Sequence, residues 1–226
     1  LNANIKRSMD FYNDQRYQLS KGFIKDVEYD LTQISWTTSV LNLALKNQEI
    51  TQDKIGEKVI SLYRPFFKQI GYYSRFWNER VYQLPKLFPT SKYKNLVICV
   101  KGIGDKDFSC LIVDCIPDLQ VIFNGQCFPL YWYEENKNKQ QTLSLFDTES
   151  SDDYIRRDGI TDWILKEVRT RFGNARKITK ETIFYYVYGL LHSPKYREAF
   201  AADLKKSLPR IPIVEDIDAF LDFSYA

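Results

Sequence analysis

ITKETIFYYVYGLLHSPKYREAFAADLKKSLPRIPI, residues 178–213, decides how the chain is read. In its first half Ile183, Tyr186, Val187, Leu190 and Leu191 fall at i, i+3, i+4, i+7 and i+8, one apolar helical face. Phe184, Tyr185 and Tyr188 make a second, aromatic face. A helix apolar on two sides is buried on two sides, so the spacing predicts a hub against which other elements pack. Thr179 is placed as N-cap, its hydroxyl accepting a free backbone N–H of the first turn. Ser193 and Pro194 mark the start of a second helix, in which Tyr196, Phe200 and Leu204 recur every four residues. Pro209 and Pro212 stop it, each removing a donor and holding the backbone extended.

Upstream, residues 1–60 read as a helical connector with balanced charge, eight basic and eight acidic groups. Ser35-Trp36-Thr37 is a helix start, and Thr51 opens a further helix running through Val59, Ile60 and Leu62 towards Tyr63. Residues 61–133 read as a β-rich core. NLVICVK, FSCLIVDC, LQVIF and CFPLYWY are short apolar runs separated by turns. Lys101-Gly102-Ile103-Gly104-Asp105 between the first two is a hairpin turn, because no helix follows its glycines. Residues 134–158 are polar and read as a long exposed loop. Residues 159–226 return to helix, with Gly173-Asn174 as a stop and an acidic end that reads as a last helix cut short. The fold class expected is α+β, a central β-rich recognition core flanked by helical segments before and after.

The chemistry lies in an uneven charge. Residues 63–101 hold eight basic and one acidic group, residues 102–162 five and twelve, and residues 176–210 eight and three. One basic face is the footprint of a polyanion partner, unless the charges mix again on folding. In 63–90 arginines alternate with aromatics. Arg75, Asn78, Arg80 and Gln83 are the residue types that read base edges, a guanidinium matching guanine and an amide matching adenine. Arg64, Lys68, Lys86, Lys92 and Lys94 are cations suited to phosphates. The alternative is that the aromatics are core and the arginine stems cover them.

Other chemistries are thinner. The cysteines at 99, 110, 115 and 127 lack zinc-ligand spacing and read as buried reduced thiols of a cytoplasmic protein. His192 is alone, which excludes a two-histidine site, and its inter-helix position predicts packing or capping. Asp118 with Glu135 and Lys137 mimics the acid…acid-x-Lys pattern of Mg²⁺-dependent nucleases, but its second half falls in polar text. No run approaches the eighteen apolar residues of a membrane span, and there is no signal-peptide pattern. With Leu1 rather than Met at its start, the chain reads as an excerpt of a longer protein.

The 178–200 cassette followed by LPRIP (208–212) resembles the C-terminal specificity domain of type ISP restriction–modification enzymes. YRPF (63–66), Tyr72-Tyr73, NERVYQLPKLFPT (78–90), NLVICVKG (95–102), Ile116-Pro117-Asp118-Leu119, QCFPLYWY (126–133) and GITDW (159–163) resemble that family too, in the same order. Phe67 departs from it, since relatives often carry an acidic residue after YRPF. The resemblance implies a non-catalytic module that reads an asymmetric double-stranded DNA sequence. It implies an attached adenine methyltransferase and a helicase-like, nuclease-bearing part that use S-adenosylmethionine, ATP and Mg, with no such cofactor in this chain. A second reading is a protein–protein coupling domain between methyltransferase and motor without base reading. A metal-dependent nuclease is the third.

Overall fold

Helix α5 (Lys180–His192) forms where its sequence demands it. Thr179 is extended at φ −116°, ψ 172°, and its Oγ1 accepts from Thr182 N, while Thr182 Oγ1 accepts from Thr179 N, a reciprocal capping box. The computed structural model describes residues 2–52, 56–74, 76–78, 81–104, 106–118, 120–137, 153–173, 175 and 177–225. Along these, the chain runs α1 (Asn2–Ser20), α2 (Thr38–Leu45), β1 (Glu57–Arg64), β2 (Phe67–Tyr73), α3 (Leu84–Leu87), β3 (Val97–Val100), β4 (Cys110–Val113), β5 (Ile116–Pro117), β6 (Gln126–Pro129), β7 (Tyr131–Glu135) and β8 (Tyr154–Asp158). Then follow α4 (Asp162–Arg171), α5, α6 (Pro194–Ala199), α7 (Asp203–Lys206) and α8 (Ile217–Tyr225). The α+β class expected from the sequence is the one observed.

Two compact units share the chain: Leu1–Val59 with Ile70–Tyr82, and Ile60–Gln69 with Gln83–Ala226. In the first, Tyr12 of α1 is fully buried among Ile34, Val40, Ala44, Ile50 and Phe76. Its hydroxyl donates to Gln48 O at 2.8 Å, and burial pushes its pKa up to about 12. Asn13 holds Ile50 from both sides, donating to its carbonyl and accepting from its N–H. Thr37 caps α2, as the sequence indicates.

The second unit is organised by α5. Ile183, Phe184, Tyr186, Leu190 and Leu191 are all buried there. Tyr186 stacks on Phe220 of α8 with ring centroids 4.2 Å apart. Its hydroxyl donates to Pro212 O at 2.6 Å and accepts from Val214 N at 3.1 Å. The Tyr196 hydroxyl donates to Arg210 O at 2.8 Å, so two buried tyrosines clip the proline segment in place. A Cβ on Gly189 would meet Phe223 O at 2.0 Å, so only glycine allows α5 and α8 to approach this closely. Ser193 caps α6 and Pro194 opens it, as the sequence indicates. The predicted four-residue recurrence does not stay one helix: the chain turns at 200–202 between α6 and α7.

Among the described residues, strands form three small sheets, ordered β2-β1-β5, β4-β3-β6 and β7-β8. β3 is buried along its whole length and pairs antiparallel with both neighbours, Cys99 lying opposite Leu111 and Cys127. β3 and β4 pair antiparallel, with residues 101–109 between them.

Two local expectations are corrected. Residues 57–64 are a strand, not the end of a helix. Gly56 sits at φ +81° against Tyr73 O and starts the strand, and Ser61 and Leu62 pair in parallel with Ile116 and Pro117. The β-branched Val59 and Ile60 suit that pleated surface. The span 134–158 is not all loop, because Glu134 and Glu135 close β7 and pair with Ile155 and Tyr154 of β8.

Candidate nucleic-acid interface

The β1–β2 hairpin ends in a two-residue turn, Pro65-Phe66, and residues 63–70 are all exposed. Arg64 and Lys68 stand on the two strands beside the turn. The Arg64 guanidinium lies 4.1 Å from the centre of the Tyr63 ring, donates to Tyr63 O and reaches Asp118 at 3.7 Å. The Lys68 ammonium donates to Asp114 at 2.7 Å. That hydrogen bond holds the Asp114 carboxyl below the usual range and the Lys68 ammonium above its own. Both pairs are half-exposed, so each holds its cation only weakly and leaves it available to another anion.

Gln83, Lys86, Lys92 and Lys94 lie around α3 and the loop after it, all exposed. Gln83 is the residue before α3, and its side chain makes no capping bond, so its amide stays presented. Lys86, Lys92 and Lys94 form no ion pair among the described residues. Their backbone is fixed from beneath. Asn95 is buried and uses its whole amide, donating to Leu87 O at 2.9 Å and Tyr131 O at 2.6 Å, and accepting from Leu96 N and Tyr131 N. The Tyr133 hydroxyl donates to Lys94 O at 2.6 Å, and the Tyr93 ring packs edge-on against Tyr133 and Tyr154. The loop therefore presents exposed ammonium groups on a hydrogen-bonded frame.

The other base-edge candidates divide. Asn78 lies in the first unit, with Nδ2 donating to Tyr72 O at 3.2 Å and Ser74 O at 3.1 Å. Bidentate adenine recognition needs both ends of an amide, and here one is engaged. Arg75 and Arg80 lie outside the described residues.

Elsewhere the polar groups support the fold. His192 closes α5, its Nε2 3.3 Å from Cys110 Sγ and its Nδ1 3.3 Å from Arg197. Burial and the Arg197 charge push the imidazole pKa down, and burial pushes the Cys110 thiol up. This is the packing role the sequence indicated. Cys99, Cys110 and Cys115 are buried, and Cys127 is half-buried. Among the described residues no three His, Cys, Asp or Glu gather as metal ligands. Asp118 caps its own turn through Gln120 N and pairs with Arg64, while Glu135 ends β7. No helix among the described residues is long and apolar enough to cross a membrane.

Sequence reading passed over Asn95 and Phe66. Asn95 carries no local signal, since its acceptors are distant. Phe66 had one: a phenylalanine in the second position of a proline-led turn, where glycine is the favoured residue.

A small antiparallel core, a helical hub and cation-bearing loops describe a class of protein. The chain belongs to the Type ISP C-terminal specificity domain family, whose match spans residues 1–226. No curated protein matches it. Among solved structures it is similar to the ATP-dependent Type ISP restriction-modification enzyme LlaBIII bound to DNA, at 30% identity and TM-score 0.76 over 99% of this chain. The DrdV–DNA complex matches at 30% identity and TM-score 0.77 over 98%. A nuclease-deletion mutant of the Type ISP enzyme LlaGI, in complex with a DNA substrate mimic, matches at 28% and 0.70 over 98%. The chain spans 13% of the LlaBIII chain and 19% of each of the other two.

Proposed function

We propose that this chain is the DNA target-recognition module of a single-chain restriction–modification enzyme. It reads an asymmetric duplex sequence for an attached adenine methyltransferase and an ATP-dependent translocase and nuclease. The observation that carries the reading is the family match over the whole chain, joined to relatives that were solved with DNA. The chemistry agrees: Lys86, Lys92 and Lys94 are exposed cations on a braced loop, and Arg64 and Lys68 are loosely held. These five are our phosphate contacts. Gln83 is our first base reader; Arg75 and Arg80 remain candidates by residue type, and Asn78 contributes at most its free amide oxygen.

S-adenosylmethionine, ATP and Mg then belong to the other parts of the enzyme. Base flipping and methyl transfer take place there, on an adenine that this module positions. A coupling role without base reading would call for a broad apolar patch on the 178–208 helices. Most of their large apolar side chains are instead buried in the unit's own core.

Selection from a pool of randomised duplexes tests the reading. The expected result is enrichment of one non-palindromic site, with binding that falls steeply as salt rises. Failure to bind duplex both as this chain and with the methyltransferase part restored would contradict it.

A further inference from the structure

Phe66 stands out in the hairpin. It is 93% exposed, and Tyr63 and Phe67 of the same hairpin are 41% and 58% exposed. Burial therefore gives no reason for this ring. Nor does the turn: Pro65 is held near φ −65° by its own ring, and Phe66 follows at φ +67°. That combination favours glycine at the second position, and a bulky side chain there is strained. Both local rules are broken at one residue, and such violations gather where function holds them in place.

The surroundings indicate what the ring meets. Arg64 and Lys68 flank it, one on each strand, in exposed pairs that exchange a carboxylate for a phosphate at small cost. The basic excess of residues 63–101 begins here. An aromatic ring at the tip of a cationic hairpin matches a nucleobase with a phosphate on either side. We infer that the 63–68 tip is a stacking finger, in which Phe66 lies against a nucleobase at an opened step of the bound duplex while Arg64 and Lys68 take the adjoining phosphates. This rests on the DNA-recognition reading above and adds to it a non-sequence-reading contact that holds distorted DNA.

Phe66→Gly and Phe66→Trp separate the possibilities. Glycine relieves the backbone, so the thermal midpoint of Phe66→Gly should equal or exceed that of the unaltered chain. Its affinity for duplex DNA should nevertheless fall about tenfold, and tryptophan should restore it. The dependence of log affinity on log salt should keep its slope, since a ring displaces no counterions. A duplex with one abasic position offers an open stacking slot, and the advantage of the unaltered chain over Phe66→Gly should widen on it. If the unaltered chain binds DNA and Phe66→Gly binds both duplexes equally well, the finger is overturned and DNA recognition stands. That result would give the ring to a pocket on another protein part. If the unaltered chain binds neither duplex, alone and with the methyltransferase part restored, both readings fall together.

Discussion

The hub helix α5 and the tip of the β1–β2 hairpin are built from the same residue types and treat them in opposite ways. In α5, Phe184 and Tyr186 are buried, and the Tyr186 hydroxyl is bonded on both sides to the 212–214 segment. At the tip, Tyr63, Phe66 and Phe67 face solvent, and the cations beside them sit in exposed pairs. Composition cannot distinguish the two, because an aromatic-rich segment reads as core in either place. What separates them is whether each polar group is satisfied inside the protein. The hub's aromatics stabilise the fold, and the tip's stay exposed to solvent.

Substitutions test this contrast in descending order of effect. Gly189→Val places side-chain atoms where Phe223 O lies at 2.0 Å from a bare Cβ. It should cost more than ~3 kcal/mol, seen as loss of the cooperative urea transition. Tyr186→Phe keeps the ring stacked on Phe220 but leaves Val214 N and Pro212 O without their partner. A loss of roughly 1–3 kcal/mol in the same measurement is expected. The pH dependence of His192 is smaller. Its folded pKa is depressed, so the unfolded chain binds more protons, and stability falls as pH drops below the ordinary imidazole value of about 6.5. His192→Gln should flatten that slope in urea melts compared at pH 7 and pH 5.5. Phe67→Ser, at the exposed tip, should stay within ~0.5 kcal/mol of the unaltered chain. A large loss there would mean the tip is structural after all.

Local signals in the sequence were reliable where one segment holds all the relevant atoms. The Thr179 and Ser193 caps, the Thr37 cap and the buried face of α5 are of this kind. Residues 57–64 were misread because Val59, Ile60 and Leu62 suit a short helix as well as a strand. The deciding atoms are those of Ile116 and Pro117, more than fifty positions along the chain. Asn95 was illegible for the same reason, since its amide joins Leu87 to a strand 36 residues away. The candidate interface was legible as charge in 63–101 but not as geometry. Nothing local says that the Asn78 amide is bound to the backbone, or that Lys92 and Lys94 ride on a tyrosine-braced loop.

The central claim is that exposed lysines of the second unit neutralise DNA phosphates. It is tested most directly by the salt dependence of duplex binding, measured by fluorescence anisotropy for the unaltered chain and for Lys86→Ala/Lys92→Ala/Lys94→Ala. Each phosphate contact contributes about 0.9 to the slope of log affinity against log salt. The triple variant should bind more weakly, with a slope shallower by about 2.7. Equal affinity and an equal slope would contradict it.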